Sequence, residues 1–230
     1  NILRDLGKLK EAEIFTRKAI EINPSYANAL DNLGNILGDL GQLKELIILS
    51  KSILESVSIN QEYKLLASSR ITIANLLIGD FAETLLNINQ NNELIAQGAT
   101  LNKKVKGNPK YSFSFAFSQL ISLLYLQLKK ENNNPNSKRI PHIGESHCLS
   151  FAHQTLYISS QLNKIQPVLI TGGKAWHFAN NKNNQWKDSL THQIKKHTYS
   201  DKVFISFGEI DCKKEDNMLT YAIKKDKDIL

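Results

Sequence analysis

The stretch Asn1-Ile2-Leu3-Arg4-Asp5-Leu6-Gly7-Lys8-Leu9-Lys10-Glu11 returns 34 residues later as Asn35-Ile36-Leu37-Gly38-Asp39-Leu40-Gly41-Gln42-Leu43-Lys44-Glu45. The correspondence runs on: Thr16-Arg17 falls on Ser50-Lys51, and Glu21 on Glu55. A self-similar period of this length predicts a helix-turn-helix unit stacked on copies of itself. Gly7 and Gly41 fall at the turn between two helices, where glycine takes the positive φ that ends a helix. Pro24 cannot continue the helix before it, and Asn23 suits the position ahead of a proline. The small residues Ala12, Ala27 and Ala29 let neighbouring helices approach closely. One unit alone cannot bury its apolar face, so the units must stack.

A third, worn copy is expected next. Ile71 to Gly79 reads as its first helix, and Gly79-Asp80-Phe81-Ala82-Glu83 parallels the turn at Gly41 to Glu45. The register slips from 34 to 38, which predicts a longer helix or loop between the second and third units. Beyond it, Phe113 to Leu128 reads as another helix, a cap or an interdomain brace, with Phe117, Leu120, Leu124 and Leu128 at helical spacing. Several residues resemble the tetratricopeptide family: Asn32-Leu33-Gly34-Asn35, the turn glycines, Ala12, Ala19-Ile20 and Asn23-Pro24. That resemblance implies a protein or peptide partner held in a concave groove.

The chain has 230 residues, 41% of them hydrophobic and 22% charged, the profile of a globular protein. Its net charge of +7 is spread over lysine pairs such as Lys103-Lys104 and Lys195-Lys196 rather than gathered into a stripe. No nucleic-acid partner is therefore expected. No segment reaches the roughly 18 apolar residues of a membrane span. Two cysteines, Cys148 and Cys212, do not make a disulfide framework and suit a reducing, cytoplasmic setting. The sequence opens inside a repeat at Asn1, and so reads as a piece of a longer chain.

The period changes after a polar, Asn-rich break. Residues 1–90 are assigned to the repeats, 91–130 to additional helices or a cap, 131–138 to a linker and 139–230 to a second, incomplete domain. There, Ile140 to Gly144 reads as a strand, and Leu149, Ala152, Leu156 and Asn163 follow helical spacing. Pro167 to Thr171 reads as a second strand. Trp186, Leu190 and Ile194 mark a helix, and Val203 to Phe207 a third strand. Alternation of this kind predicts a parallel sheet with right-handed crossovers, and the whole chain an α + α/β fold: helical hairpins, then a partial three-layer α/β domain. Such sheets place ligands at the carboxyl ends of their strands. Three polar clusters fall there: Gly144-Glu145-Ser146-His147-Cys148, Thr171-Gly172-Gly173-Lys174 and Gly208-Glu209-Ile210-Asp211-Cys212.

The first and third clusters resemble blocks of the SGNH/GDSL hydrolase superfamily. The resemblance makes Ser146 the serine nucleophile, Gly172 or Gly173 the second-block glycine, and Gly208 to Asp211 the third block. It also extends to a subfamily in which repeats precede a Gly-Glu-Ile-Asp-Cys segment and whose reaction is unassigned. Three departures follow. Glu145 replaces the family's Asp, and Ile210 replaces an Asn whose oxyanion contact is typically worth about a hundred- to a thousand-fold in rate. The family's Asp-x-x-His is not found, and a serine without a base is a poor nucleophile.

Ser146 carries two readings, a nucleophile and the N-cap of the following helix. Asp211 is the other catalytic candidate. Gly172, Gly173, His147 and Glu209 are candidate oxyanion or substrate-binding groups. His142, His147, Cys148 and His153 match no common zinc spacing, so no metal is expected, and no cofactor. Trp176 and Trp186 read as core or as walls of a sugar or acyl pocket. The expectation is a protein-interaction module fused to a ligand-binding SGNH-like domain. Its alternative is a serine ester hydrolase acting on a small acylated carbohydrate or lipid.

Overall fold

The computed structural model describes residues 2–99, 112–128 and 137–207. Three helical hairpins open the chain: α1 (Ile2–Asp5) with α2 (Leu9–Ile22), α3 (Ala27–Asp39) with α4 (Leu43–Glu55), and α5 (Gln61–Ile78) with α6 (Phe81–Ala96). Gly7, Gly41 and Gly79 turn the chain within them at φ 71°, 64° and 88°. The slip in period is absorbed by α5, which has 18 residues where α3 has 13. Asn60 starts that helix by accepting the Tyr63 N–H at 3.1 Å, and Asp80 starts α6 by accepting that of Glu83 at 3.0 Å.

Repetition in sequence becomes repetition of contact. Between successive first helices, Arg4 donates to Asp39, Tyr63 to Asn28 and Arg70 to Asn35, each bond spanning 35 positions. Between successive second helices, Arg17 pairs with Glu45 at 2.5 Å and Lys51 with Glu83 at 3.9 Å. Leu9, Ala12, Ile36 and Leu40 form one buried cluster, and Leu33, Leu37, Leu46 and Ala74 another, so each hairpin completes its core on the next.

Helix α7 (Ser112–Leu128) packs on α5. Its Phe117, Ile121 and Tyr125 join Leu76, Leu77 and Ile88 in a cluster that continues into Cys148, Leu149, Ala152 and Leu169. The helical half and the sheet thus share one apolar core. The later elements are β1 (Lys138–Gly144), α8 (His147–Ser150), β2 (Thr155–Ile158), β3 (Gln161–Leu169), α9 (Ala175–Ala179), α10 (Gln185–Lys196) and β4 (Phe204–Ser206). The sheet order is β2-β3-β1-β4. Strand β1 runs parallel to both β3 and β4, whereas β2 is antiparallel to β3. On the sheet face away from the shared core, Ile143, Val168 and Ile170 pack with Phe178, Trp186, Leu190 and Phe207.

Two expectations are corrected. The helix anticipated across Leu149 to Asn163 is a single turn, α8, followed by a hairpin, and the sheet is mixed rather than parallel. Ser159 and Ser160 lie at φ 50° and 63°, the pair of positive values that a two-residue hairpin turn requires. That turn sets Ile158 opposite Gln161 and Tyr157 opposite Leu162. The strand expected at Pro167 accordingly begins six residues earlier, at Gln161.

Helix α10 lies along the turns of the repeats. Leu9 N–H donates to Asp188 at 2.9 Å, Asn183 to the Gly7 carbonyl at 3.2 Å, and Ser189 to the Asp39 carbonyl at 2.7 Å. Lys196 donates to the Gly41 carbonyl. At the third turn His153 takes over: its Nε2 bonds the Leu76 carbonyl at 2.5 Å and its ring meets Phe81 edge-on at 5.4 Å.

Candidate functional site

Strands β3, β1 and β4 end side by side. The Ile170 N–H donates to the Gly144 carbonyl at 2.7 Å, and the Glu145 N–H to the Ser206 carbonyl at 3.3 Å. The first two sequence clusters therefore lie at adjacent strand ends. Glu209 and Asp211, with Gly208, Ile210 and Cys212, lie outside the described residues.

Ser146 is half-buried on the turn between β1 and α8. Its hydroxyl and its own N–H both donate to Glu145 Oε2, each at 2.6 Å. Glu145 is buried, so this carboxylate is drawn inward by two charge-assisted bonds from the next residue. Ser146 occupies the N-cap position of α8 but makes no side-chain cap bond, because its oxygen points back to Glu145. His147 is exposed on the same turn.

The imidazole that bonds a serine hydroxyl here is that of His142. Its Nε2 lies 2.8 Å from Ser206 Oγ, beside the rings of Phe151 and Phe204. Burial holds His142 below the usual histidine range, with a smaller contribution from His147. Sequence reading placed His142 on a strand but missed Ser206. The signal was available: both residues sit near the ends of strands expected in one sheet.

Gly172 takes φ 71° in the turn after β3. Gly173 is buried, and a side chain there would press on Phe207, Ile170 and Phe178 at about 3.2–3.3 Å, so its first duty is packing. Trp186 stacks on buried His177 with centroids 3.4 Å apart and donates to the Thr171 carbonyl at 3.1 Å. Trp176 flanks the same imidazole and is 45% exposed. Cys148 is a buried free thiol whose pKa burial raises strongly. His153, 3% exposed, serves the contact with the helical half rather than the strand ends. Among the described residues, no three His, Cys, Asp or Glu side chains gather into a metal-holding group.

On the helical half, Ile14, Ile48 and Leu86 occupy equivalent places, each seven residues past its turn glycine. All three are exposed, at 54%, 69% and 60%. Beside the last of them lies a cavity of about 500 Å³ edged by Lys51, Glu55, Glu83 and Glu93. Among the described residues no helix is long and apolar enough to cross a membrane. The chain matches no protein family, no curated protein and no solved structure.

Proposed function

We propose that this protein is a tetratricopeptide-like interaction array joined to an SGNH-like α/β domain that binds a ligand at its strand ends. The observation that carries the ligand-binding reading is the state of Ser146. Its hydroxyl donates to the adjacent Glu145 carboxylate, which leaves it a hydrogen-bonding group rather than one aimed at an imidazole base. An array function is supported by the exposed apolar series Ile14, Ile48 and Leu86, which repeats with the hairpins and suits a protein or peptide partner.

Ester hydrolysis is the second reading, favoured by one feature: Ser146 stands on a strand-to-helix turn in contact with a carboxylate able to accept its proton. A small acylated carbohydrate or lipid is the substrate class it implies. Hydrolysis of a short-chain nitrophenyl ester, compared between the protein and Ser146→Ala, separates the two. Binding without catalysis predicts equal background rates. A loss of a hundredfold or more in Ser146→Ala, with the fold intact, establishes the hydrolase instead.

A further inference from the structure

A cavity of about 250 Å³ lies where the two halves meet. At roughly 30 Å³ per liquid water it has room for about eight waters. Its wall is drawn from five places: the α3–α4 turn, the end of α5, β1, β3, and α10 with the residues after it. Arg139 and Lys196 are both on that wall, and among the described residues that line it none is Asp or Glu. We propose that this cavity binds a small organic anion, with its charge on Arg139 and Lys196 and its apolar body against Leu43 and Leu77.

The charge argument starts from Arg139. It is exposed at the start of β1 and, among the described residues, has no carboxylate partner. A guanidinium offers a planar fork of donors that fits a carboxylate, and bonds of that kind are stronger than neutral ones. Lys196 gives one N–H to the Gly41 carbonyl, and its ammonium carries two more. Burial lowers Lys196 below its ordinary value, and an anion beside it would favour its charged form. Tyr199 adds a phenol within the electrostatic reach of Arg139. His197 bonds the Gln193 carbonyl through Nδ1 at 2.8 Å, which leaves Nε2 for a ligand hydroxyl.

Much of the remaining wall is apolar, with Leu43, Leu77, Ile78 and Leu169 beside the amides of Gln166 and Gln193, and so favours an anion with a hydrocarbon body over a bare inorganic one. An occupant would touch both halves of the molecule at once and would stabilise their docking by mass action. The site is separate from the Ser146 turn and stands whether or not that turn is catalytic.

Hexanoate is a suitable probe, with hexan-1-ol as its neutral counterpart and inorganic phosphate as its headless one. Calorimetric titration of the full chain is expected to show one hexanoate per chain, with a matching rise in melting temperature. Hexan-1-ol and phosphate are expected to bind at least tenfold more weakly. Arg139→Gln and Lys196→Gln are each expected to weaken hexanoate tenfold or more, while Lys202→Gln, on the exposed stretch before β4, leaves it unchanged. The proposal is overturned by no hexanoate binding at millimolar concentration, by equal binding of either comparison compound, or by wild-type affinity in Arg139→Gln. Should Lys196→Gln disturb folding through its lost bond to Gly41, Arg139→Gln alone decides.

Discussion

Replacing Gly7 with alanine tests whether the sheet half is truly seated on the turns of the repeats. Two costs combine at this position. The first is conformational: at φ 71° an L side chain carries a penalty of about 1–2 kcal/mol. The second is steric, since an added Cβ would lie 2.6 Å from the Asn184 carbonyl oxygen and 2.9 Å from its carbon. Those are backbone atoms at the start of α10, so α10 has to shift rather than a side chain swing away. Such overpacking costs about 1–3 kcal/mol. The shift also endangers the Asn183 bond to Gly7 and the Leu9 bond to Asp188, at about 1 kcal/mol each. Gly98 is the internal control. It sits at φ 90° with no described residue within 4 Å of an added Cβ, so among the described residues Gly98→Ala meets the conformational cost alone. Urea unfolding is expected to show a loss of about 3–5 kcal/mol for Gly7→Ala and about 1–2 kcal/mol for Gly98→Ala. Equal losses in the two variants would refute the docking of α10 on this turn.

His153 makes that docking sensitive to pH. Burial lowers its pKa to about 4, helped by Lys164 and Arg139 and opposed by the Leu76 carbonyl. The unfolded chain takes up this proton near pH 6.5 and the folded chain only near pH 4. Stability is therefore complete above pH 6.5 and falls by roughly 3 kcal/mol on going down to pH 4. His153→Gln, which keeps a donor for Leu76, is expected to flatten that slope in urea titrations across the window; an unchanged slope places the titrating group elsewhere. Arg70, 5% exposed, ties the second and third hairpins together through Asp31 at 2.5 Å and Asn35 at 3.1 Å. Arg70→Met is expected to cost about 3 kcal/mol, because Asp31 retains some contact with water, and Arg70→Lys to restore only part of it. Melting curves of the two variants side by side settle this, and full recovery by lysine contradicts the two-acceptor geometry.

The helical hairpins were legible because their information is local and repeated. Gly7, Gly41 and Gly79 punctuate the chain, apolar residues recur with them, and each copy corroborates the last. Strands β1 and β4 and helix α10 were legible for a similar reason, as short apolar or periodic runs bounded by polar residues. The hairpin of β2 and β3 was not. Leu149, Ala152, Leu156 and Asn163 fit a helical spacing, and only the pairing of β3 with β1 favours the extended form over the helix. Of the candidate site, Ser146 was placed correctly on its turn. The direction of its hydroxyl was unreadable, because it depends on how the buried Glu145 side chain is packed at the strand end.

The sequence alone determined that the first half is built of stacked helical hairpins, since a repeat encodes its own neighbour: whatever face one copy leaves open, the next copy matches. It also determined where each hairpin turns. What lies against those turns was decided only by tertiary structure. Glycine at 7, 41 and 79 is required by a positive φ, and that requirement fully accounts for it on sequence grounds. In the folded chain the missing side chains also let Asn184, Gln193 and His153 approach the repeat edge. Contacts between positions 7 and 184 leave no periodic trace in either segment. The seam between the halves, with its cationic cavity, exists only once both surfaces have formed.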